Sequence, residues 1–306
     1  METTAQVKKK ISVYLVLTFA LSSIFYYLII SASSIRAGGG IYVLGIMWCP
    51  GVSALITQLL FQKSPRGLGW GWGKTRYQVL SYAIPLGYAF VAYGIVWLTG
   101  LGGFYNQDFV KKMAEQLHLS GASPALVILI YVAIAATLGL IGSCVSSLGE
   151  EIGWRGFLVP HLAKITTFSR TALWSGVIWS VWHYPLIIFA DYNKEAPVWY
   201  SLTCFTVMVL GISFIFAWMR LKSGSLWTGM FLHASHNLFI QGVFTPLTYN
   251  TGYTNYVIDE FGSALAIVSI VAAFIVWRKR SELPDTRLVT VTNATLLAAT
   301  QSEKDR

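Results

Sequence analysis

Eight stretches of predominantly apolar residues recur along this 306-residue chain, at about 11–32, 41–62, 78–100, 124–148, 171–190, 197–219, 225–244 and 260–277. Each approaches the roughly 20 residues that a helix needs to cross a bilayer. The residues between them cannot supply a water-soluble surface. Only 11% of the chain is charged, whereas a soluble domain carries about 25%. Lipid must therefore solvate much of the molecule, and the twelve Trp and sixteen Tyr suit the membrane–water boundary, where amphipathic rings concentrate. The expected fold is all-α, a polytopic transmembrane helix bundle of about eight spans. Gly45, Pro50, Pro85 and Pro185 interrupt several spans, which spanning helices tolerate when neighbours satisfy the freed backbone groups.

The distribution of Lys and Arg orients the bundle. Lys8, Lys9 and Lys10 precede the first span and place the N-terminus in the cytoplasm. With eight spans, only Arg36, Lys111, Lys112 and Lys194 of the 22 basic residues fall on the opposite side. Both termini are then cytoplasmic, and removing one span would scramble the segregation. The net charge of +9 thus reflects membrane orientation. No basic stripe interleaved with aromatics marks a nucleic-acid surface. The first apolar stretch exceeds the roughly 7–15 residues of a signal-peptide core, so an uncleaved first helix is expected. Tyr105 to His118 reads as a short amphipathic helix on the outer interface, and 281–306 as a polar, disordered tail. Cys49, Cys144 and Cys204 lie far apart in apolar segments and read as small packed hydrophobes.

Ionisable residues inside membrane segments are costly and mark function by default. They gather in three places: Gly149-Glu150-Glu151-Ile152-Gly153-Trp154-Arg155-Gly156 at the end of the fourth run, His183 in the fifth, and His233-Ala-Ser-His236-Asn237 in the seventh. Neighbouring helical residues project about 100° apart, so the two glutamates cannot share a face. Glu151 precedes Arg155 by four residues, the favoured orientation for an ion pair, and its expected role is structural. Glu150 lacks such a partner and is the better carboxylate to face a cavity as a general base. His233 and Asn237 share a face and can donate toward one point, as a developing oxyanion requires. His236 either joins that site or bonds a neighbouring helix. His118 and His161 are expected at interfaces. The bland alternative for all these groups is interhelical hydrogen bonding.

Glu150-Glu151-x-x-x-Arg155, a histidine in the next helix and His233-x-x-x-Asn237 resemble the CAAX protease and bacteriocin-processing (CPBP) family of intramembrane endopeptidases. The run EEIGWRGFLVPHL is similar to bacterial members, which would place the chain in a bacterial cell membrane. The resemblance covers roughly 120–245. It implies a division into N-terminal helices with the outer amphipathic segment (1–119), a CPBP-like catalytic core (120–245), a last spanning helix (246–280) and the polar tail (281–306). It also implies that Glu150 and His183 activate a water, that His233 and Asn237 form the oxyanion hole, and that Glu151 and Arg155 support the site. The implied substrate is a membrane-associated or CAAX-like protein or peptide, prenylated in the best-known case. One departure stands out: the family usually has Phe four residues before its histidine, and here that residue is Trp179.

Glu151, His183 and His233 would supply three ligands if a zinc ion were used, but there is no H-E-x-x-H helix and Arg155 competes for Glu151. A metal-independent glutamate mechanism is the favoured expectation. A catalytically silent scaffold, for instance in bacteriocin immunity, is the first competing reading. A transporter or proton channel is the second, opposed by the lack of an internal repeat. The depth of Glu150 leaves two options. Either the fourth helix runs deeper than its apolar run, or a cavity carries water down to His183, about 18 Å into the fifth span at 1.5 Å per residue.

Overall fold

The computed structural model describes residues 2–192, 196–285 and 287; Lys194 and nearly all of the tail 281–306 lie outside the described residues. The described residues are all-α but for a two-stranded antiparallel ribbon. Helix α1 spans Thr4–Ser31 and starts from a capping box, in which Thr3 and Gln6 satisfy each other's backbone N–H groups. Helices α2 (Ile41–Gln62) and α3 (Thr75–Leu98) carry Pro50 and Pro85 without breaking. Short α4 (Gln107–Gln116) buries only Val110 and Ala114 and exposes its charged face, the amphipathic segment read from the sequence.

Helix α5 runs continuously over Pro124–Ile165, with π-helical turns at Ala135–Gly139 and Ile152–Leu158. The hydropathy boundary at 148 is therefore corrected: the fourth helix extends 17 residues further, through the Glu150–Gly156 motif. It does so because these polar residues are enclosed by protein and need neither lipid nor water. Helices α6 (Phe168–Phe189) and α7 (Val198–Ser223) follow. Helix α8 (Trp227–Phe239) continues through a π turn at Ile240–Phe244 into Thr245–Leu247, and α9 covers Ser263–Arg278.

Among the described residues six helices are long and apolar enough to cross a membrane: α1, α2 with its preceding turn, α3, α5, α6 and α7. Of the eight expected spans, the last two form helices that are individually shorter. Helix α9 has 16 residues, about 24 Å at 1.5 Å each. Its start at Ser263 leaves Glu260, the first residue of the sequence-based eighth span, in the preceding loop.

The helices pack in the order α1, α2, α5, α8, α3, α9, α7, α6 and back to α1, so the bundle closes on itself. Its N-terminal end is tied by Glu2, whose carboxylate bridges Lys10 at 2.6 Å and Lys164 at 2.7 Å. At the same end Trp218 donates to the Lys279 carbonyl and Lys222 pairs with Glu282. The opposite end gathers the connections after α1, α3, α6 and α8. There Asp191 accepts from the Ile35 N–H, and Gly103–Phe104 pairs with Thr248–Tyr249.

Helices α2 and α5 cross in near backbone contact. A Cβ added at Gly51 would stand 2.5 Å from the Gly149 carbonyl oxygen, and one at Gly153 would stand 2.5 Å from the Pro50 side chain. Small residues permit such crossings in lipid, where packing must hold the helices together. The crossing sits beside Glu150. We expect Gly51→Ala to lower the thermal unfolding temperature in detergent, by an overpacking penalty of about 1–3 kcal/mol. Gly87→Ala, where a Cβ meets nothing within 4 Å, serves as the silent control.

Candidate functional site

Helices α5 and α6 are joined by Thr166–Thr167 alone and run antiparallel. Glu150 lies 15 residues before the end of α5 at Ile165, and His183 lies 15 residues after the start of α6 at Phe168. Both therefore sit about 22 Å from the same end of the bundle. The deeper fourth helix is thus the answer to the depth question, and it brings the two residues level. Both line one cavity of about 190 Å³, together with His233 and Asn237 from α8. Apolar side chains of α2 and α7, among them Met47, Phe205 and Ile212, form part of its wall. The cavity extends toward the far-end loops, where Ile35, Tyr192 and Glu260 line it.

Two indoles hold Glu150. Its Oε2 accepts from Trp154 Nε1 at 3.1 Å and from Trp179 Nε1 at 2.8 Å. Both bonds fall on one oxygen, so Oε1 is left for a ligand or water. Trp154 reaches Glu150 because it lies four residues along α5, on the same face. Trp179 reaches it from α6, and a Phe at this position would have no N–H to give. His183 Nδ1 lies 2.9 Å from the Trp179 carbonyl. A carbonyl only accepts, so Nδ1 carries the proton and Nε2 of the neutral ring is the free acceptor. The imidazole is enclosed by Trp182, Phe205 and Tyr192, at centroid distances of 4.8, 5.0 and 6.2 Å.

Glu151 turns to the other side of α5. Its Oε1 accepts from Arg155 at 2.8 Å and contacts His233 Nδ1 at 2.9 Å. The Arg155 guanidinium packs against the rings of Trp179 and Phe216, 4.1 and 3.9 Å from their centroids, where cation–π attraction offsets part of its lost hydration. This cluster is buried throughout, and Glu151 Oε2 has no hydrogen-bond partner. Gly229 of α8 makes the fit: a Cβ there would lie 2.5 Å from Glu151 Oε2. With Nδ1 engaged, His233 has Nε2 for the cavity, and Asn237 stands one turn further along α8.

His236 does not point at Glu150. It bonds Tyr88 of α3 through Nδ1 at 2.5 Å and Glu260 through Nε2 at 3.0 Å. Glu260, which no sequence motif singled out, is a buried wall of the same cavity. Only its acidic character inside an apolar run offered a signal. His161 is buried and stacks on Phe157, 4.1 Å between centroids, four residues before the end of α5. His118 is exposed beyond α4.

Among the described residues no group of three His, Cys, Asp or Glu side chains is placed to hold a metal ion. Glu151, His183 and His233 in particular do not converge. The Glu151 oxygen that faces His233 is occupied by Arg155, and His183 approaches from the Glu150 side.

Residues 123–239 match the type II CAAX prenyl endopeptidase Rce1-like family. The matched segment contains every motif described above, from Glu150 to Asn237, and excludes Glu260. Over 78 residues the chain is also 35% identical to a protein named CAAX prenyl protease 2 from Methanococcus maripaludis. That alignment covers 24% of this chain and 28% of the relative's length.

Two substitutions separate packing from hydrogen bonding here. Glu151→Ala leaves Arg155 charged and unpaired in the interior, and we expect it to destabilise the bundle by about 3–5 kcal/mol, read as early thermal unfolding in detergent. Trp179→Phe retains a ring against Arg155 and removes one donor from Glu150. We expect it to lower stability by no more than about 3 kcal/mol, since one hydrogen bond to a charged group contributes about 1.5–3 kcal/mol.

Proposed function

We propose that this protein is an intramembrane endopeptidase in which Glu150 and His183 activate a water while His233 and Asn237 stabilise the oxyanion. The observation that carries this reading is the single cavity lined by all four side chains. The water would sit between Glu150 Oε1 and His183 Nε2, the two acceptors left free by the indole and carbonyl bonds. A carboxylate that accepts the water's proton during attack is a general base, and it can return that proton to the leaving amine nitrogen. The carbonyl oxygen turns into an oxyanion as the water adds. In the form protonated on both nitrogens, His233 gives one N–H to Glu151 and the other to that oxyanion, and Asn237 adds an amide N–H. Arg155 and His233 then balance Glu150 and Glu151, so the buried cluster is neutral as a whole.

The mechanism needs no metal. Its carboxylate base, its tautomerically fixed histidine and its oxyanion donors are all supplied by the chain, and the placement of Arg155 against Glu151 disfavours zinc there. The substrate class follows from the surroundings. A largely apolar cavity inside a helical bundle accepts an extended segment of a membrane-associated protein or peptide, of which a CAAX-like C-terminus, prenylated or not, is one case.

One observation favours a second reading. Glu150 and Glu260 place carboxylates at two depths of the same cavity, and a proton pathway also requires ionisable groups at several depths. Peptide cleavage in liposomes decides between them. We expect Glu150→Gln and His183→Ala each to lower kcat/KM by about 10²–10⁴. For His233→Ala we expect a loss of about 10²–10³. All three should remain folded, and a strong chelator should leave wild-type turnover unchanged. Full activity in all three variants overturns the site. Ion flux by a wild-type protein that cleaves no peptide, lost in Glu150→Gln, supports the transport reading.

A further inference from the structure

Glu260 lies outside the matched CPBP segment, in the loop between α8 and α9, and is 4% exposed. Its carboxylate is the meeting point of three elements. Oε1 contacts His236 Nε2 at 3.0 Å and accepts from Gln241 Nε2 at 2.9 Å, both on the α8 helical run. Oε2 accepts from the Tyr192 hydroxyl at 3.1 Å, in the connection after α6. A buried carboxylate without such donors would be strongly disfavoured, so these contacts and the charge hold one another in place.

Each contact leads to one half of the proposed site. Tyr192 stacks nearly parallel on His183, with 6.2 Å between centroids and 21° between planes. Phe261, the residue after Glu260, meets Tyr192 edge-on at 5.1 Å and stacks on Phe205, which itself packs on His183 at 5.0 Å. On the other side, His236 is the immediate neighbour of Asn237 and lies three residues after His233. Tyr88 of α3 closes that side through His236 Nδ1. The loop is itself fixed, because the Asp259 N–H donates to the Tyr93 hydroxyl at 3.1 Å.

We propose that Glu260 is a positioning residue that sets the His183 ring through Tyr192 and the His233–Asn237 pair through His236. This inference rests on the endopeptidase reading. One carboxylate spans the gap between the water-activating side and the oxyanion side, where a displacement of about 1 Å costs as much as 10²-fold in rate. Glu260 touches no reacting atom in this scheme. Its effect is therefore confined to kcat and to the exposure of His183.

The test uses full-length protein in liposomes, an internally quenched peptide library as substrate, and carbethoxylation of His183 followed by mass spectrometry. In Glu260→Ala we expect kcat to fall by roughly 10- to 100-fold with KM unchanged, the signature of misplaced groups in a site that still binds. His183 should be modified faster than in wild type, because Tyr192 no longer covers its ring. Tyr192→Phe should shift both readouts in the same direction by less. Adding it to Glu260→Ala should cause no further loss, since both act through one contact. Glu260→Gln keeps one acceptor oxygen and should restore part of kcat; it also decides the matter if the alanine variant does not fold. Unchanged kcat and unchanged His183 modification in these variants overturn the proposal. A wild type that cleaves nothing overturns the endopeptidase reading instead, while the His183 modification rate still tests the positioning role.

Discussion

The Glu151 carboxylate, shared between Arg155 of its own helix and His233 of α8, is the contact on which the rest of the site depends. Inside a bundle solvated by lipid, an ionised side chain cannot borrow water. It must find a counter-charge within reach or not be there. Arg155 supplies that charge along α5, and the rings of Trp179 and Phe216 both pack against the guanidinium. His233 extends the same pair across to α8. Once Glu151 is committed on this side, the roughly 100° step along the helix aims Glu150 elsewhere, into the cavity. The structural pair and the chemical carboxylate are consequences of one rotation.

Trp179 joins the two. Its indole N–H binds Glu150, its carbonyl orients His183, and its ring packs on Arg155 and, at 5.4 Å between centroids, on His233. A phenylalanine would make the packing contacts but not the bond to Glu150. With two indole donors on Oε2, the carboxylate is fixed in direction while its other oxygen stays open. In the proposed mechanism a base that acts on a single water gains from that division, because the water has one place to bind.

The architecture was legible because lipid imposes a uniform requirement. Each crossing needs a long apolar helix, and hydropathy counts such helices directly. The separation of Glu150 from Glu151 was legible for the same kind of reason, since i to i+4 geometry is local. Where contacts come from distant sequence, the reading failed. Helix α5 was cut short at 148 because hydropathy treats Glu150, Glu151 and Arg155 as an exit from the membrane. In the fold they are wrapped by α2, α6 and α8, and the helix continues to Ile165. Glu260 escaped notice because its meaning lies in His236, Gln241 and Tyr192, which reach it from 24, 19 and 68 residues away. No spacing rule connects a loop carboxylate to partners on two other elements.

That failure has a structural counterpart. The helices outside the CPBP segment do more than surround it. Tyr26 of α1 donates to the Trp182 carbonyl, and Trp182 donates to Ser22 at 2.8 Å, so α1 holds the turn of α6 that precedes His183. Ser235 of α8 donates to the Tyr82 carbonyl at 2.6 Å, and Tyr88 binds His236, so α3 holds the helix that carries His233 and Asn237. Gly51 of α2 lets α5 approach at Gly149, one residue before Glu150. Each side chain of the proposed site is thus supported by a helix that the family match does not reach. Substitutions in α1, α2, α3 or the loop around Glu260 can reshape the cavity while leaving Glu150, His183, His233 and Asn237 intact. A chain built this way keeps its chemistry in one segment and sets the shape of the site from the helices around it.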